Sequence, residues 1–123
     1  MNKSAGNSTA LETVNQYIEA TRDGAVETMR SLFSPAALMS GFYEGEFYIG
    51  SPDLFFDELR DNPSPSATGA DYSGEIISSE MFGNIANVTL KEKGYLGLDF
   101  TNLFQLARID GDWLIVSKAY VDE

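Results

Sequence analysis

Gly97 to Tyr120, GLDFTNLFQLARIDGDWLIVSKAY, is the stretch whose reading decides the fold. Its first half alternates in the manner of a half-buried strand. Leu98, Phe100, Asn102, Phe104 and Leu106 fall on one side of the extended chain, and Asp99, Thr101, Leu103, Gln105 and Ala107 on the other. Asp110-Gly111 suits a tight hairpin turn, so the strand from Trp113 to Val121 returns antiparallel beside Leu98 to Arg108. The first face is apolar around one amide, Asn102, and is assigned inward. Continuing the alternation places Leu114, Val116, Lys118 and Tyr120 outward on the last strand.

Two further strands precede this hairpin, Tyr72 to Phe82 and Ile85 to Lys93, joined at Gly83-Asn84. The four make an antiparallel meander. Upstream, YIEATRDGAVETMRSLFSPAA, Tyr17 to Ala37, reads as a helical hairpin running into a strand. Thr9-Ala-Leu-Glu12 has the form of a capping box, so the first helix spans 10 to 23, with Leu11, Val14, Ile18 and Thr21 as a stripe and Gly24 as its end. A second helix, 25 to 33, presents Val26, Met29, Leu32 and Phe33 to the core and stops at Ser34-Pro35. Ala37 to Ile49 is strand-like about a Glu44-Gly45 turn. Ser51-Pro52-Asp53 opens a third helix, 52 to 61, with serine as cap and proline at the first position. Asn62 to Gly69 is a breaker-rich loop, read as a rim or lid.

Helices first and a long sheet after them give an α+β class. The chain of 123 residues is long enough for one core, read as residues 9–123 after a loose tail at 1–8. With no cysteine and no histidine, disulfides, thiolate nucleophiles, the usual zinc ligands and a Ser-His-Asp triad are excluded. The formal charge of -11 repels phosphate backbones and anionic lipid, so neither nucleic acid nor a membrane is an expected partner. The N-terminus lacks the apolar run of a signal peptide, and a cytoplasmic location is expected. Glu44 and Glu46 flank a turn without a third ligand, and no metal or cofactor is expected.

The set Tyr17, Ala20, Asp23, Gly24, Glu27, Leu32, Phe33, Pro35 and Ala37, with a closing hairpin containing Gly111, Trp113 and Lys118, resembles the nuclear-transport-factor-two-like superfamily. Gly97 to Phe104 and Trp113 to Lys118 are similar to its lumazine-binding, SnoaL-like branch. The resemblance runs from about Leu11 onward. It implies a cystatin-like roll, in which a curved antiparallel sheet and three helices form a cone around a pocket for steroids, polyketides or other small apolar molecules.

Ketosteroid isomerases share this fold, and their functional positions can be carried across. The oxyanion-donating tyrosine falls on Tyr17 and the second donor on Asn102. The general base falls on Gly41, or on Ser40 or Phe42 beside it, and none of these accepts a proton usefully. An aspartate at Gly41 is therefore expected to introduce some proton-transfer activity, and the unmodified chain to show little.

Two donors without a base favour recognition of an acceptor oxygen. The expected ligand-binding set is Tyr17 and Asn102 as polar handle with Phe42, Phe100 and Phe104 as apolar wall. The alternative for the pair is that Tyr17 and Asn102 bond each other or the backbone. The function expected is binding of a small apolar molecule bearing a hydrogen-bond-accepting oxygen. The other reading is a SnoaL-like cyclase or isomerase acting on a polyketide- or steroid-like carbonyl compound. The outward face of the closing strands is poor in charge, and a homodimer through it, centred near Leu103, is expected.

Overall fold

The protein is described from a computed structural model over residues 7–123. Of the expected tail, residues 1–6 lie outside the described residues. Asn7 is docked rather than loose: its carbonyl accepts the Trp113 N–H at 3.1 Å and its side-chain amide donates to Gln16 at 3.4 Å.

Helix α1, Ala10–Asp23, begins at the capping box read from the sequence. Thr9 Oγ1 accepts the Glu12 N–H at 3.1 Å, and the Glu12 carboxylate accepts the Thr9 N–H at 3.0 Å. Gly24 closes the helix at φ 67°, a left-handed conformation that a Cβ would strain. The buried stripe is Val14, Tyr17, Ile18 and Thr21, with Thr13 pinning α1 to the last strand through a 2.7 Å bond to the Trp113 carbonyl.

Helix α2, Val26–Ser31, is shorter than the expected 25 to 33, because the chain is already extended at Phe33 ahead of Pro35. Strand β1, Phe33–Tyr43, and strand β2, Glu46–Gly50, flank the Glu44-Gly45 turn, where both residues have positive φ. Helix α3, Asp53–Asp61, starts one residue after Pro52. Within the breaker-rich loop a one-turn helix α4, Pro65–Thr68, is capped by Ser64, whose hydroxyl accepts the Ala67 N–H.

The remaining strands are β3, Ser73–Phe82, β4, Ile85–Tyr95, β5, Leu98–Ile109, and β6, Asp112–Asp122. One six-stranded curved sheet results, ordered β2-β1-β6-β5-β4-β3, and its concave side takes α1 and α3. The meander β3 to β6 is antiparallel as expected. The sheet as a whole is mixed, which corrects the all-antiparallel expectation: β1 runs parallel to β6, with Met39 beside Lys118 and Gly41 beside Tyr120. The two helices at the front return the chain to the end where β6 begins, and the Ile115 N–H is bound by the Leu32 carbonyl at 2.8 Å. Hydrophobic alternation sets which face a strand buries but leaves the direction of its neighbour open.

One irregularity in the β5–β6 ladder positions the site. Leu106 pairs with Ile115 and Gln105 with Ser117, so Val116 has no partner and forms a bulge. Trp113 and Ile115 point inward before it. After it the inward places fall to Lys118, opposite Phe104, and Tyr120, opposite Asn102. Lys118 and Tyr120, expected outside, are therefore inside. Among the described residues no helix is long and apolar enough to cross a membrane.

Candidate functional site

A half-enclosed cavity of about 80 Å³ lies between the concave sheet and the helices. That is several times the roughly 10–15 Å³ that one water needs. Helix α1 contributes Tyr17, and α3 contributes Phe55 and Glu58, with the exposed Leu54 at the rim. Met39 and Tyr43 come from β1, Glu92 and Tyr95 from β4, Phe100 and Asn102 from β5, and Lys118 and Tyr120 from β6. Most of the wall is aromatic. Tyr17 stacks on Phe55 at 5.7 Å and meets the edge of Phe104 at 4.9 Å, while Phe100 lies against Tyr43 and Tyr95, each at 6.1 Å.

Among the described residues Lys118 is the single cation lining this cavity, and only 5% of it is exposed. Its ammonium sits 3.6 Å from the centre of the Phe55 ring, with the Tyr17 and Tyr120 rings at 5.2 and 5.5 Å. Contact of a cation with aromatic faces recovers part of the hydration it has lost. No side chain hydrogen-bonds to it, and no carboxylate lies within ion-pairing distance among the described residues. Desolvation lowers its pKa to about 8, opposed by the negative field of Glu92 and Glu58.

Glu92 is 3% exposed and fully engaged. One carboxylate oxygen accepts a short hydrogen bond from the Tyr72 hydroxyl, and the other accepts from Asn102 Nδ2 at 2.6 Å. Burial, then the Glu92 charge, holds the Tyr72 phenol above its ordinary value, so Tyr72 stays the donor. This arrangement orients Asn102 and leaves its Oδ1 buried without a partner. Such an orphaned acceptor is uncommon in folded proteins and asks for a donor. Across the cavity Glu58 accepts from the Tyr95 hydroxyl at 3.3 Å. Desolvation raises the Glu58 pKa against the opposing effects of that bond and of Lys118, so this carboxyl retains its proton to higher pH than an exposed one.

Of the residues singled out from the sequence, Tyr17, Asn102 and Phe100 come together in the cavity wall. Among the described residues no hydrogen bond joins Tyr17 to Asn102, whose amide is taken by Glu92. Burial keeps the Tyr17 phenol far above its usual pKa, hence a neutral donor. Phe104 is buried beneath Tyr17 and supports that ring without lining the cavity. Phe42 is on the other face of β1, 47% exposed and packed on Phe47; the inward places are filled by Met39, Gly41 and Tyr43.

Gly41 is tightly enclosed. A Cβ there would stand 2.1 Å from the Tyr120 carbonyl oxygen and 2.7 Å from its ring. An aspartate at this position has no room, so Gly41→Asp would displace the Tyr120 backbone rather than install the base expected from the sequence. Glu44 and Glu46 sit at the exposed β1–β2 turn, and among the described residues no group of three or more His, Asp or Glu could hold a metal ion.

Sequence reasoning passed over Glu92, Glu58 and Lys118. A signal for Glu92 was present, since Ala86, Val88, Leu90 and Glu92 alternate on one face of β4. Glu58 follows Phe55 at helical spacing. For Lys118 the alternation pointed the wrong way until the bulge is known.

Comparison with known proteins places the chain in context. A family profile described as Putative lumazine-binding matches residues 5–121. A relative called Aldolase FrzH, from Cladobotryum sp., is 28% identical over 110 residues, covering 89% of this chain and 86% of its own length. Among solved structures, an NTF2-like protein of unknown function from Shewanella baltica OS155 superposes with a TM-score of 0.81 at 25% identity, over 93% of this chain and 90% of that one. Another of unknown function, from Silicibacter pomeroyi DSS-3, gives 0.82 at 26% over 92% of both chains. A ketosteroid isomerase-like protein from Erwinia carotovora atroseptica shares the fold with a TM-score of 0.65 at 13% identity, over 92% of both chains.

Proposed function

The chain belongs to the Putative lumazine-binding family, and from that premise we propose that its cavity binds a small, largely apolar molecule through a carbonyl or similar acceptor oxygen set against Lys118. The observation that carries this reading is the Lys118 ammonium itself, buried among aromatic rings, facing the cavity and, among the described residues, without a hydrogen-bond partner. A charged donor in such surroundings gains most from a ligand oxygen. Asn102 Oδ1 supplies an acceptor for a hydroxyl or N–H on the same molecule, and Phe55, Phe100 and Tyr43 supply the apolar contact. Native mass spectrometry of gently purified protein should retain a ligand at one per chain. Acetophenone, followed by ligand-observed NMR, should bind wild type about tenfold more tightly than Lys118→Met, the loss expected for one hydrogen bond to a charged donor. Equal binding by the variant would refute the role of Lys118.

An enzymatic reading, aldol-type chemistry on a carbonyl substrate, is favoured by a specific pairing. One cavity holds an amine of lowered pKa and, in Glu58, a carboxyl of raised pKa, shifts that bring the two groups closer together and suit them to exchanging protons with a bound molecule. The name of the aldolase relative is in keeping with this reading. We also propose that two copies of the chain pair through the convex sheet face.

A further inference from the structure

Lys118 differs from a structural buried lysine in what surrounds its nitrogen. A structural lysine is held by carboxylates or carbonyls, whereas this one is held by ring faces and opens only into the cavity. Its nitrogen therefore has both room for a carbon electrophile and few interactions to lose on becoming neutral. We propose that Lys118 is a covalent nucleophile, condensing through Nζ with the carbonyl carbon of the bound molecule to form an imine. The proposal rests on the carbonyl-binding reading above.

The neutral amine adds to the carbonyl carbon, the C=O π electrons pass to oxygen, and a proton moves from nitrogen to that oxygen to give a carbinolamine. Loss of the hydroxyl as water, with a proton from a cavity acid, leaves an iminium between Nζ and the substrate carbon. Glu58 is the carboxyl that the cavity provides for this proton, and the carboxylate so formed can then recover a proton from the carbon next to the iminium. The iminium draws electrons from that carbon, which is the activation an aldol-type bond change requires. With a pKa of about 8, about one amine in ten is already neutral at pH 7. The exposed Lys91 side chain, by contrast, is salt-bridged to Glu123.

Benzoylacetone tests this without knowledge of the natural ligand, because a diketone condensing with an amine ends as a conjugated enaminone with its own near-ultraviolet band. Wild-type protein should gain that band and the mass of one diketone less one water. Peptide mapping should place the adduct on Lys118, formed about tenfold faster than on Lys91 or Lys93. Lys118→Arg keeps the cation without a nucleophilic amine and should lose the band. Should that variant not fold, the mapping on wild type decides alone. Binding of acetophenone without any adduct, or an adduct only at Lys91 or Lys93, would overturn the covalent role and leave the binding reading standing. Failure of wild type to bind acetophenone and to form an adduct would overturn both.

Discussion

Lys118 places a charge where water is largely excluded, and the thermodynamic consequence has a definite sign. In the unfolded chain its pKa is near 10.5, and in the folded chain about 8, with desolvation the leading cause. Between those values the unfolded state binds more protons than the folded state, so stability rises with pH across the window. The stability withheld by the buried charge is fully recovered above the unfolded pKa and lost as pH falls through 8. The full span is on the order of 3 kcal/mol. The groups facing Lys118 are Glu58 from α3, Glu92 and Tyr95 from β4, Tyr17 from α1 and Tyr120 from β6. The three phenols are all shifted upward, mainly by desolvation, and stay neutral through most of this range. Chemical denaturation of wild type should therefore show stability climbing from pH 7 to 10, and Lys118→Met should flatten that slope. A wild-type profile that falls over this interval would refute the buried charge.

The element that decides the site is the bulge in β6. Were Val116 paired with Gln105 in a regular ladder, the two-residue period set by Trp113 and Ile115 would put Lys118 opposite Leu103 and Tyr120 opposite Thr101, both on the convex face. Deletion of Val116 joins Ile115 directly to Ser117, so it should restore a regular ladder with Lys118 still opposite Phe104, and both the lowered lysine pKa and acetophenone binding should persist. An NMR titration of the lysine side chain in that variant checks the claim, and a pKa returned to about 10.4 would contradict it. At the same scale, the capping box of α1 and the inward face of β5 were legible because each is written in neighbouring residues. The Val116 bulge has no such local signature. It lies where β6 is held between β5 and the parallel β1, with the Tyr120 backbone and ring closing on Gly41.

Across the whole molecule, the bulge also shapes the convex face. One row of paired residues runs Ile49, Ser40, Ala119, Leu103, Thr89 and Ser78 across the sheet, and none is charged. The chain has 19 acidic residues and a net charge of -11, so an uncharged row through the middle of a face stands out. Leu103 is 52% exposed at its centre. With Lys118 turned inward, no lysine from β6 interrupts this surface, and a two-fold pairing would place like rows together. Sedimentation at micromolar concentration should give a dimer that Leu103→Glu dissociates, since a carboxylate at the centre would be buried unpaired. A monomeric wild type, or a dimer that ignores the substitution, would argue against this face.

The sequence by itself determined the class and most of the elements. Capping boxes, turn residues and two-residue alternation are local statements, and α1, the four-strand meander and the inward set Phe100, Asn102 and Phe104 follow from them. The family was legible for a related reason, since spaced motifs along one chain do not require knowing what touches what. What only the tertiary structure decided is the polar content of the cavity. Glu92, Tyr72 and Asn102 become one network because β4, β5 and the segment entering β3 bring distant residues together. Lys118 enters the cavity because a register slip between two strands reverses its face. Burial, and with it the shifted pKa of an ordinary lysine, belongs to the assembled cone, because desolvation comes from groups remote in the chain and has no counterpart in local pattern.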